Sequence, residues 1–290
     1  MTTYLVGLDR SEPARAALTW ARAVATADES IIVLHASPSA LLGYEPIAGV
    51  PPVPVPAQPV SDDDLEQVLA ELNDSRLSGR TTTDDAGRAL VDAAGELGPE
   101  VTVVVGHGGS SKASLLVGSV AHYVVHHTDS PVVVVRGESR VPVRRVVVGV
   151  DQGDDDDEPD DRSLAALRWA VRLPGVERIE VSHADFVPAV AAGPLREPGL
   201  ESQDAVEDDD VMLRRAIDLA TDGTGVPPNG ADVVPVVAAG TGAFALIEAS
   251  READLVVIGT RGRSGLVELI VGSTGLDVLA HAHCPVAVIR

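Results

Sequence analysis

Three glycines and two hydroxyl residues near the end of the chain have the spacing of a loop that could hold an anion. The segment GTRGRSGLVELIVGST (259–274) places two residues between Gly259 and Gly262 and nine between Gly262 and Gly272. Glycine lets a backbone turn sharply or lie close to a ligand. A glycine-rich loop that leads into a helix presents backbone N–H groups to phosphate. Such a loop alone is weak evidence, so the surrounding elements must support the interpretation.

The composition restricts the class of protein. The 290 residues are 45% hydrophobic but only 2% aromatic, and the formal net charge is −22. Short Val-rich runs are typical of strands buried in parallel sheets. The negative charge argues against nucleic acid as a partner, because the phosphates would be repelled. We find no signal peptide, no apolar run near the roughly 18 residues that span a bilayer, and a single cysteine, Cys284. We therefore expect a cytoplasmic protein without a membrane partner.

The chain contains an internal repeat. LLVGSVAHYVVHHTDSPVVVVR (115–136) returns as LIVGSTGLDVLAHAHCPVAVIR (269–290). The opening stretch VGLDRSEPARAALTWA likewise returns as VGVD followed by RSLAALRWA. We therefore expect two units, residues 1–138 and 144–290, joined by a short polar linker that contains a proline.

Each unit alternates strand-like and helix-like segments, which predicts βαβ crossovers and a parallel sheet covered by helices on both faces. We expect each unit to form its own sheet. The last strands, near 131–135 and 285–289, are apolar and leave edges that need covering, so we expect them to pack together as an internal pseudo-dimer. Parallel sheets bind ligands at the carboxyl ends of strands, where the winding direction reverses. The glycine loop follows a strand and therefore belongs to that edge.

Taken together, these residues resemble the universal stress protein family. The shared features are an Asp after the first strand, A-A-L-x-W-A in the first helix, and G-x2-G-x9-G-S/T before a C-P-V strand. The second unit has all of them, and the first unit repeats them in the same order with small departures, so the resemblance covers nearly the whole chain. The resemblance implies two tandem Rossmann-like α/β units, each a five-stranded parallel sheet of order 3-2-1-4-5 flanked by helices. One branch of the family holds ATP through the glycine motif, and another branch lacks the motif and does not bind nucleotide.

The resemblance implies an ATP site, with Mg²⁺, in the second unit. The glycines would let the backbone approach ribose and phosphates, the Gly-Ser-Thr residues would donate hydrogen bonds, and the arginines would add charge-assisted contacts. The Asp would face adenine or ribose, and the Ala would lie against adenine. The alternative is that the glycines only make a tight turn. The matching residues of the second unit are Asp151, Ala184, Gly259, Arg261, Gly262, Arg263, Gly272, Ser273 and Thr274. Those of the first unit are Asp9, Ala36, Gly106, Gly109, Gly118 and Ser119.

Each unit departs from the family pattern in one place. The second unit inserts QGDDDDEPDD within residues 151–162. Its carboxylates would repel a triphosphate unless a cation intervenes; we expect a disordered acidic loop, with a cation site as the alternative. In the first unit we align Gly106 and Gly109 with Gly259 and Gly262, which makes that loop one residue short. We therefore expect the second unit to bind ATP more tightly.

Three functions remain open. The first is an ATP-binding stress-response protein whose nucleotide state regulates a partner protein or its own assembly, including a homodimer. The second is a tandem interaction module that has lost nucleotide binding. The third is an adenylyl-transferring enzyme or a slow ATPase, but the H-x-G-H and S-G-G-x-D-S signatures are missing, as are the common nucleophile and zinc motifs. We therefore expect no catalytic residue and no resident metal. His35 and His183, which end the second strand of each unit, are interpreted as packing residues.

Overall fold

The computed structural model describes residues 2–9, 12–36, 43–44, 54–55, 62–106, 117–153, 158–185, 203–260 and 271–290. The strands within this part of the chain are β1 (Thr3–Gly7), β2 (Ser30–Ala36), β3 (Gly43–Tyr44), β4 (Pro54–Val55), β5 (Leu77–Thr82), β6 (Val101–Val105), β7 (Val132–Val135), β8 (Arg145–Gly149), β9 (Arg178–Asp185), β10 (Asp232–Ala239), β11 (Leu255–Gly259) and β12 (Val286–Ile289). The helices are α1 (Glu12–Val24), α2 (Asp62–Glu71), α3 (Ala86–Leu97), α4 (Ser119–His127), α5 (Asp161–Ala170), α6 (Gln203–Ala220), α7 (Gly242–Ala249) and α8 (Ser273–His281).

Ten strands form one sheet of order β10-β9-β8-β11-β12-β7-β6-β1-β2-β5. We call the part of the chain with β1–β7 the first half and the part with β8–β12 the second half. Within each half the neighbouring strands of this sheet run parallel, and its five strands, counted along the chain, stand in the order 3-2-1-4-5. The predicted α/β fold class is confirmed. The short strands β3 and β4 pair separately.

The two halves meet where β7 and β12 pair in the antiparallel direction. Val133 lies opposite Ala287, with Val134 opposite Val286 and Val132 opposite Val288. The expectation of two separate sheets is wrong, because each of these strands supplies the backbone hydrogen bonds that the edge of the other requires. The antiparallel junction also puts the carboxyl ends of the two sets of parallel strands at opposite edges of the sheet.

Two arginines that follow the junction strands reach across the boundary between the halves. Arg136 donates a hydrogen bond to the carbonyl oxygen of Leu279 in α8, and Arg290 donates one to the carbonyl oxygen of Val125 in α4. Both carbonyls belong to the last turn of a helix, where no intrahelical donor remains. Because the two contacts join equivalent positions of the repeat, they are related by a local pseudo-two-fold axis.

The hydrophobic core lies in two layers, one on each face of the sheet. Side chains of α1, α2, α5 and α6 contribute to one layer, and side chains of α3, α4, α7 and α8 contribute to the other. Each layer continues across the junction, since Val133 and Ala287 belong to the first and Val134 and Val286 to the second. No helix in the described part of the chain has the length and apolar character needed to cross a bilayer.

Candidate functional site

A cavity of about 920 Å³ opens at the carboxyl ends of β8, β9 and β11 in the second half. The order of the strands reverses at β8, which has β9 on one side and β11 on the other. The first residues of α7 and α8 and the connection from β8 to α5 complete the walls. The cavity therefore occupies the place where parallel α/β sheets generally bind ligands.

Several of the residues singled out by the sequence line this cavity. They come from four separate segments and are Asp151, Ala184, Gly259, Gly272 and Thr274. Ser273 is the first residue of α8 and is not part of the cavity wall. Arg261, Gly262 and Arg263 lie outside the described residues. The fold thus brings together predicted residues at the carboxyl ends of three strands and at the start of one helix.

The N-terminus of α8 forms one wall. Gly272 is the N-cap residue, with φ −60° and ψ 168°, and no side chain among the described residues caps the first turn. The first N–H groups of a helix lack intrahelical acceptors and carry a partial positive charge. Thr274 adds a hydroxyl residue at the same wall. This part of the cavity is therefore suited to an anion.

The acidic insertion also lines the cavity, and the part of it that the structure describes is a hairpin. The Gly153 N–H donates to the Glu158 carbonyl at 2.7 Å, and the Asp160 N–H donates to the Asp151 carbonyl at 2.9 Å. The Glu158 carboxylate accepts a hydrogen bond from Arg215 on α6. The expectation of a disordered loop is wrong for these residues, because backbone pairing and an ion pair hold them. The four consecutive aspartates of the insertion, residues 154–157, lie outside the described residues.

Asp160 of this hairpin caps α5. Its carboxylate accepts hydrogen bonds from the backbone N–H groups of Arg162 and Ser163, both at 3.1 Å. The Ser163 hydroxyl in turn accepts one from the Asp151 N–H at 3.0 Å. The start of α5 is therefore satisfied by the chain itself, whereas the start of α8 remains open. Within the described residues, no group of three or more His, Cys, Asp or Glu side chains is arranged to hold a metal ion.

Gly259 has a packing requirement of its own. A β-carbon at this position would lie 2.7 Å from the carbonyl oxygen of Arg162 and 3.0 Å from the backbone nitrogen of Ser163. Any side chain would therefore collide with the first turn of α5. Because Gly259 also lines the cavity, close packing of α5 and access to the cavity both depend on this glycine.

His183 also lines the cavity, and its side chain joins the ends of β8 and β9. Its ring is 8% exposed; Nδ1–H donates to the Val150 carbonyl at 2.8 Å, and Nε2 lies 3.8 Å from an Asp209 oxygen on α6. In the first half, His35 makes the same bond to the Leu8 carbonyl at 2.8 Å. The histidine thus fixes the end of the first strand to that of the second in both halves, in agreement with a packing role.

Two further residues of the wall were not anticipated from the sequence. Thr260 is 2% exposed, and its hydroxyl has no hydrogen-bond partner in the described part of the chain. Gly149 ends β8, where a β-carbon would lie 2.8 Å from Leu246 of α7. The repeat in the sequence indicates this glycine, since Gly7 ends β1 in the same way. A β-carbon at Gly7 would lie 2.9 Å from the Leu90 side chain.

Strand register corrects the alignment of the two glycine loops. The Gly106 N–H donates to the Val135 carbonyl at 2.9 Å, and the Thr260 N–H donates to the Ile289 carbonyl at 3.0 Å. Val135 and Ile289 end the last strand of their respective halves. Gly106 therefore occupies the position of Thr260, not that of Gly259.

This correction changes the comparison between the loops. From Gly106 and Thr260 to the N-cap glycines Gly118 and Gly272, the chain advances by twelve residues in both halves. The prediction that the first loop is one residue short is wrong, because it matched glycines by letter rather than by position in the strand. The difference is one of residue type: the strand of the first half ends in valine where that of the second half ends in glycine.

The residues predicted for the first half stand at the opposite edge of the sheet. Asp9 follows β1, Ala36 ends β2, Gly106 follows β6, Gly118 is the N-cap of α4, and Ser119 is the first residue of α4. Gly109 lies outside the described residues. Val120 takes the position that Thr274 has in α8, so the first half lacks this hydroxyl.

Comparison with known proteins agrees with the repeat and the fold. The model described as "Universal stress protein family" matches residues 1–136 and again residues 142–290. A universal stress protein of Mycolicibacterium smegmatis is 24% identical, over 99% of this chain and 96% of that protein. One of Mycobacterium tuberculosis is 28% identical, over 99% and 95%.

Solved structures share the fold over the full length. The crystal structure of a universal stress protein from Archaeoglobus fulgidus has a TM-score of 0.62 at 20% identity and covers 99% of this chain and 98% of that chain. A putative universal stress protein of Pseudomonas aeruginosa gives 0.62 at 14% identity, over 100% and 93%. The two matches to the family model together span nearly the whole sequence. The chain therefore belongs to the universal stress protein family.

Proposed function

We propose that this protein is a nucleotide-binding stress protein that holds ATP, with Mg²⁺, in the cavity of its second half. The observation that carries the proposal is the convergence of predicted residues from four separate segments on one cavity, beside an uncapped helix N-terminus. We further propose that residues 1–138 and 144–290 are its two units, and that the bound nucleotide regulates a partner protein or the assembly of this one. A cytoplasmic location accompanies the proposal, since the single cysteine, Cys284, is a buried free thiol.

The dimensions of the cavity support a ligand of nucleotide size. Sites for small ligands and cofactors commonly measure about 300–1,000 Å³, and this cavity measures about 920 Å³. In the proposed arrangement the phosphates face the N–H groups at Gly272 and the hydroxyl of Thr274. The sugar and base then extend toward Asp151 and Ala184, where the small alanine side chain leaves room for a flat ring.

The proposed role is binding rather than turnover. ATP hydrolysis needs a base near the γ-phosphate, and the carboxylates of the hairpin are its nearest candidates. Asp160 already caps α5, and Glu158 already pairs with Arg215. A catalytic role would require either of these two groups to leave a contact that holds the hairpin. We assign no catalytic residue.

The test is a titration of two matched variants with ATP and Mg²⁺, in which thermal unfolding and calorimetry measure binding. Gly272→Val and Gly118→Val each place a side chain at the N-cap of a helix, and their φ values of −60° and −58° suit any L-residue. A ligand at 100 times its Kd should stabilise the native state by about 2.7 kcal/mol. We expect Gly272→Val to abolish this stabilisation and Gly118→Val to retain it, because only the second half places a threonine at the third position of this motif.

Loss of binding in Gly118→Val alone would mean that the nucleotide sits in the first half. An unchanged melting temperature in the wild-type protein at millimolar ATP and Mg²⁺ would remove the nucleotide proposal altogether. The tandem interaction module without nucleotide would then be the remaining interpretation.

A further inference from the structure

One side of the proposed nucleotide cavity is acidic. Its lining includes Asp151, Glu158, Asp160 and Asp161, whereas no lysine or arginine of the described residues lines it. All four carboxylates belong to the hairpin or to its junctions with β8 and α5. The N-terminus of α8, whose first turn has no side-chain cap among the described residues, adds a partial positive charge of roughly half a unit. The starts of α5 and α7 also lie at the wall, but the side chains of Asp160 and Thr241 already cap them.

The hairpin cannot carry its charges away from the cavity without breaking contacts. Its two sides are joined by the backbone bonds Gly153–Glu158 and Asp151–Asp160 and by a β-bridge between Gln152 and Pro159. The ion pair with Arg215 fastens it to α6. A free loop could move its carboxylates into water, where salt screens them beyond about 8–10 Å. This hairpin keeps them at the entrance.

Two of the carboxylates are compensated within the protein. The hydrogen bond from Arg215 lowers the pKa of Glu158, and the N–H groups of α5 surround Asp160. Asp151 and Asp161 are exposed at the entrance. A negatively charged ligand in this cavity therefore meets several carboxylates, and among the described residues only the starts of helices offer it positive potential.

We propose that the hairpin makes the cavity of the second half select its ligand by charge. It favours adenosine, a monophosphate or the Mg²⁺ complex of ATP over metal-free ATP. This inference rests on the proposed function and adds to it the charge state of the ligand. Since like charges a few ångströms apart repel only weakly in water, the combined effect of several carboxylates on metal-free ATP should be about tenfold in affinity.

The first half shows that the fold does not require the hairpin. Residues 10–11 alone separate Asp9 from the start of α1, whereas residues 152–160 separate Asp151 from the start of α5. The insertion is thus an addition to one edge of one half, and its removal need not disturb the sheet.

The test measures binding of adenosine, AMP, ATP with EDTA and ATP with Mg²⁺ to the full chain by calorimetry. In the wild-type protein, metal-free ATP should bind about tenfold more weakly than Mg–ATP. Glu158→Gln combined with Asp161→Asn should strengthen the binding of metal-free ATP by about three- to tenfold and change the binding of uncharged adenosine much less. Asp161→Asn alone keeps the ion pair with Arg215 and should give a smaller gain.

The matched control is Glu66→Gln combined with Glu71→Gln, which removes the same charge from the exposed side of α2 in the first half. This control should bind every ligand as the wild type does. The gain in affinity for metal-free ATP in the hairpin variant should also decrease as the salt concentration is raised. A further variant that replaces residues 152–160 with the Arg-Ser of the first half should lose the preference for Mg–ATP.

The outcomes separate this inference from the proposed function. If metal-free ATP binds the wild-type protein as tightly as Mg–ATP and adenosine do, selection by charge is wrong and nucleotide binding stands. An equal gain in the hairpin variant and the α2 control would also overturn it, because net charge rather than the hairpin would be responsible. If no ligand binds under any condition, the proposed function and this inference fall together.

Discussion

The two halves of the molecule share their sheet order but differ in how the first strand is connected to the first helix. Both halves arrange five parallel strands in the same order, and both anchor the ends of the first two strands with a histidine. The short connection after β1 contrasts with the acidic hairpin after β8. The comparison teaches that the buried layers constrain where strands end, whereas the connection beyond a strand end is free to change its length and charge.

A second contrast concerns the C-terminal end of the first helix. In the first half, Arg76 donates to the Ala25 carbonyl at 2.6 Å and is held by Asp74 at 2.8 Å. In the second half, the Asn229 side chain donates to the Leu173 carbonyl at 3.0 Å. Both carbonyls lie just beyond the last residue of the first helix, and each arrangement supplies its carbonyl with a side-chain donor. One uses an ion pair and the other a neutral amide, which predicts a different response to acid.

The largest expected effect concerns the strand end beside the cavity. Gly259→Val would force a side chain into the backbone of α5 and should lower the free energy of unfolding by about 3 kcal/mol or more. The equivalent change in the first half runs the other way: Val105→Gly removes one side chain and should cost about 1 kcal/mol. Equilibrium unfolding in urea measures both. Equal costs would mean that the two strand ends have the same surroundings. That result would contradict the close contact between Gly259 and the backbone of α5.

An intermediate effect distinguishes the Asp74–Arg76 ion pair of the first half from the Asn229 amide of the second half. Asp74→Ala leaves the Arg76 guanidinium without its carboxylate and should cost about 2 kcal/mol at neutral pH, whereas Asn229→Ala should cost about 1 kcal/mol. Hydrogen bonds from Arg76 hold the pKa of Asp74 well below its usual range. Because the folded-state pKa is depressed, the carboxylate stabilises the protein above its unfolded-state pKa of about 4, and this stabilisation is lost as the pH falls further.

Urea unfolding at several pH values tests the difference. The cost of Asp74→Ala should decrease below about pH 4, and the cost of Asn229→Ala should not change with pH. A cost of Asp74→Ala that is the same at neutral and acidic pH would contradict an ionic anchor in the first half.

The smallest expected difference is that between the two arginines that cross the junction. Arg136→Ala and Arg290→Ala each remove a hydrogen bond to a helix carbonyl of the other half, and each should cost about 1–2 kcal/mol. Because the contacts are related by the pseudo-two-fold axis, the two costs should agree closely. Thermal unfolding of the single variants provides the measurement; a large cost for one arginine and none for the other would show that the junction is not symmetric in energy.

Much of the fold could be predicted, because Val-rich runs and the repeat are strong signals of buried parallel strands. The rule that ligands bind beyond the carboxyl ends of such strands also placed Asp151, Ala184 and Gly259 together. The expectation of separate sheets was wrong. The exposed edges of the last strands were recognised, but edges that pair through backbone hydrogen bonds necessarily join the two sheets into one.

Other features of the site could not be predicted from local sequence. Gly106 and Gly259 look equivalent as letters, but only strand pairing shows that they lie at different positions. The acidic insertion has the composition of a disordered segment, and the arginine that pairs with Glu158 is 57 residues away in sequence. The uncapped start of α8 and the occupied start of α5 likewise depend on contacts that become visible only in three dimensions.

The junction of β7 and β12 has a consequence for how the two halves can diverge. In a symmetric dimer of identical chains, every substitution appears twice and must suit both sides of the axis. Here the partner strands belong to one chain and are encoded separately, so a change at one edge need not be repeated at the other. The linkage also makes the pairing intramolecular, so its extent does not depend on protein concentration. One half can therefore acquire an acidic hairpin while the other keeps a short connection.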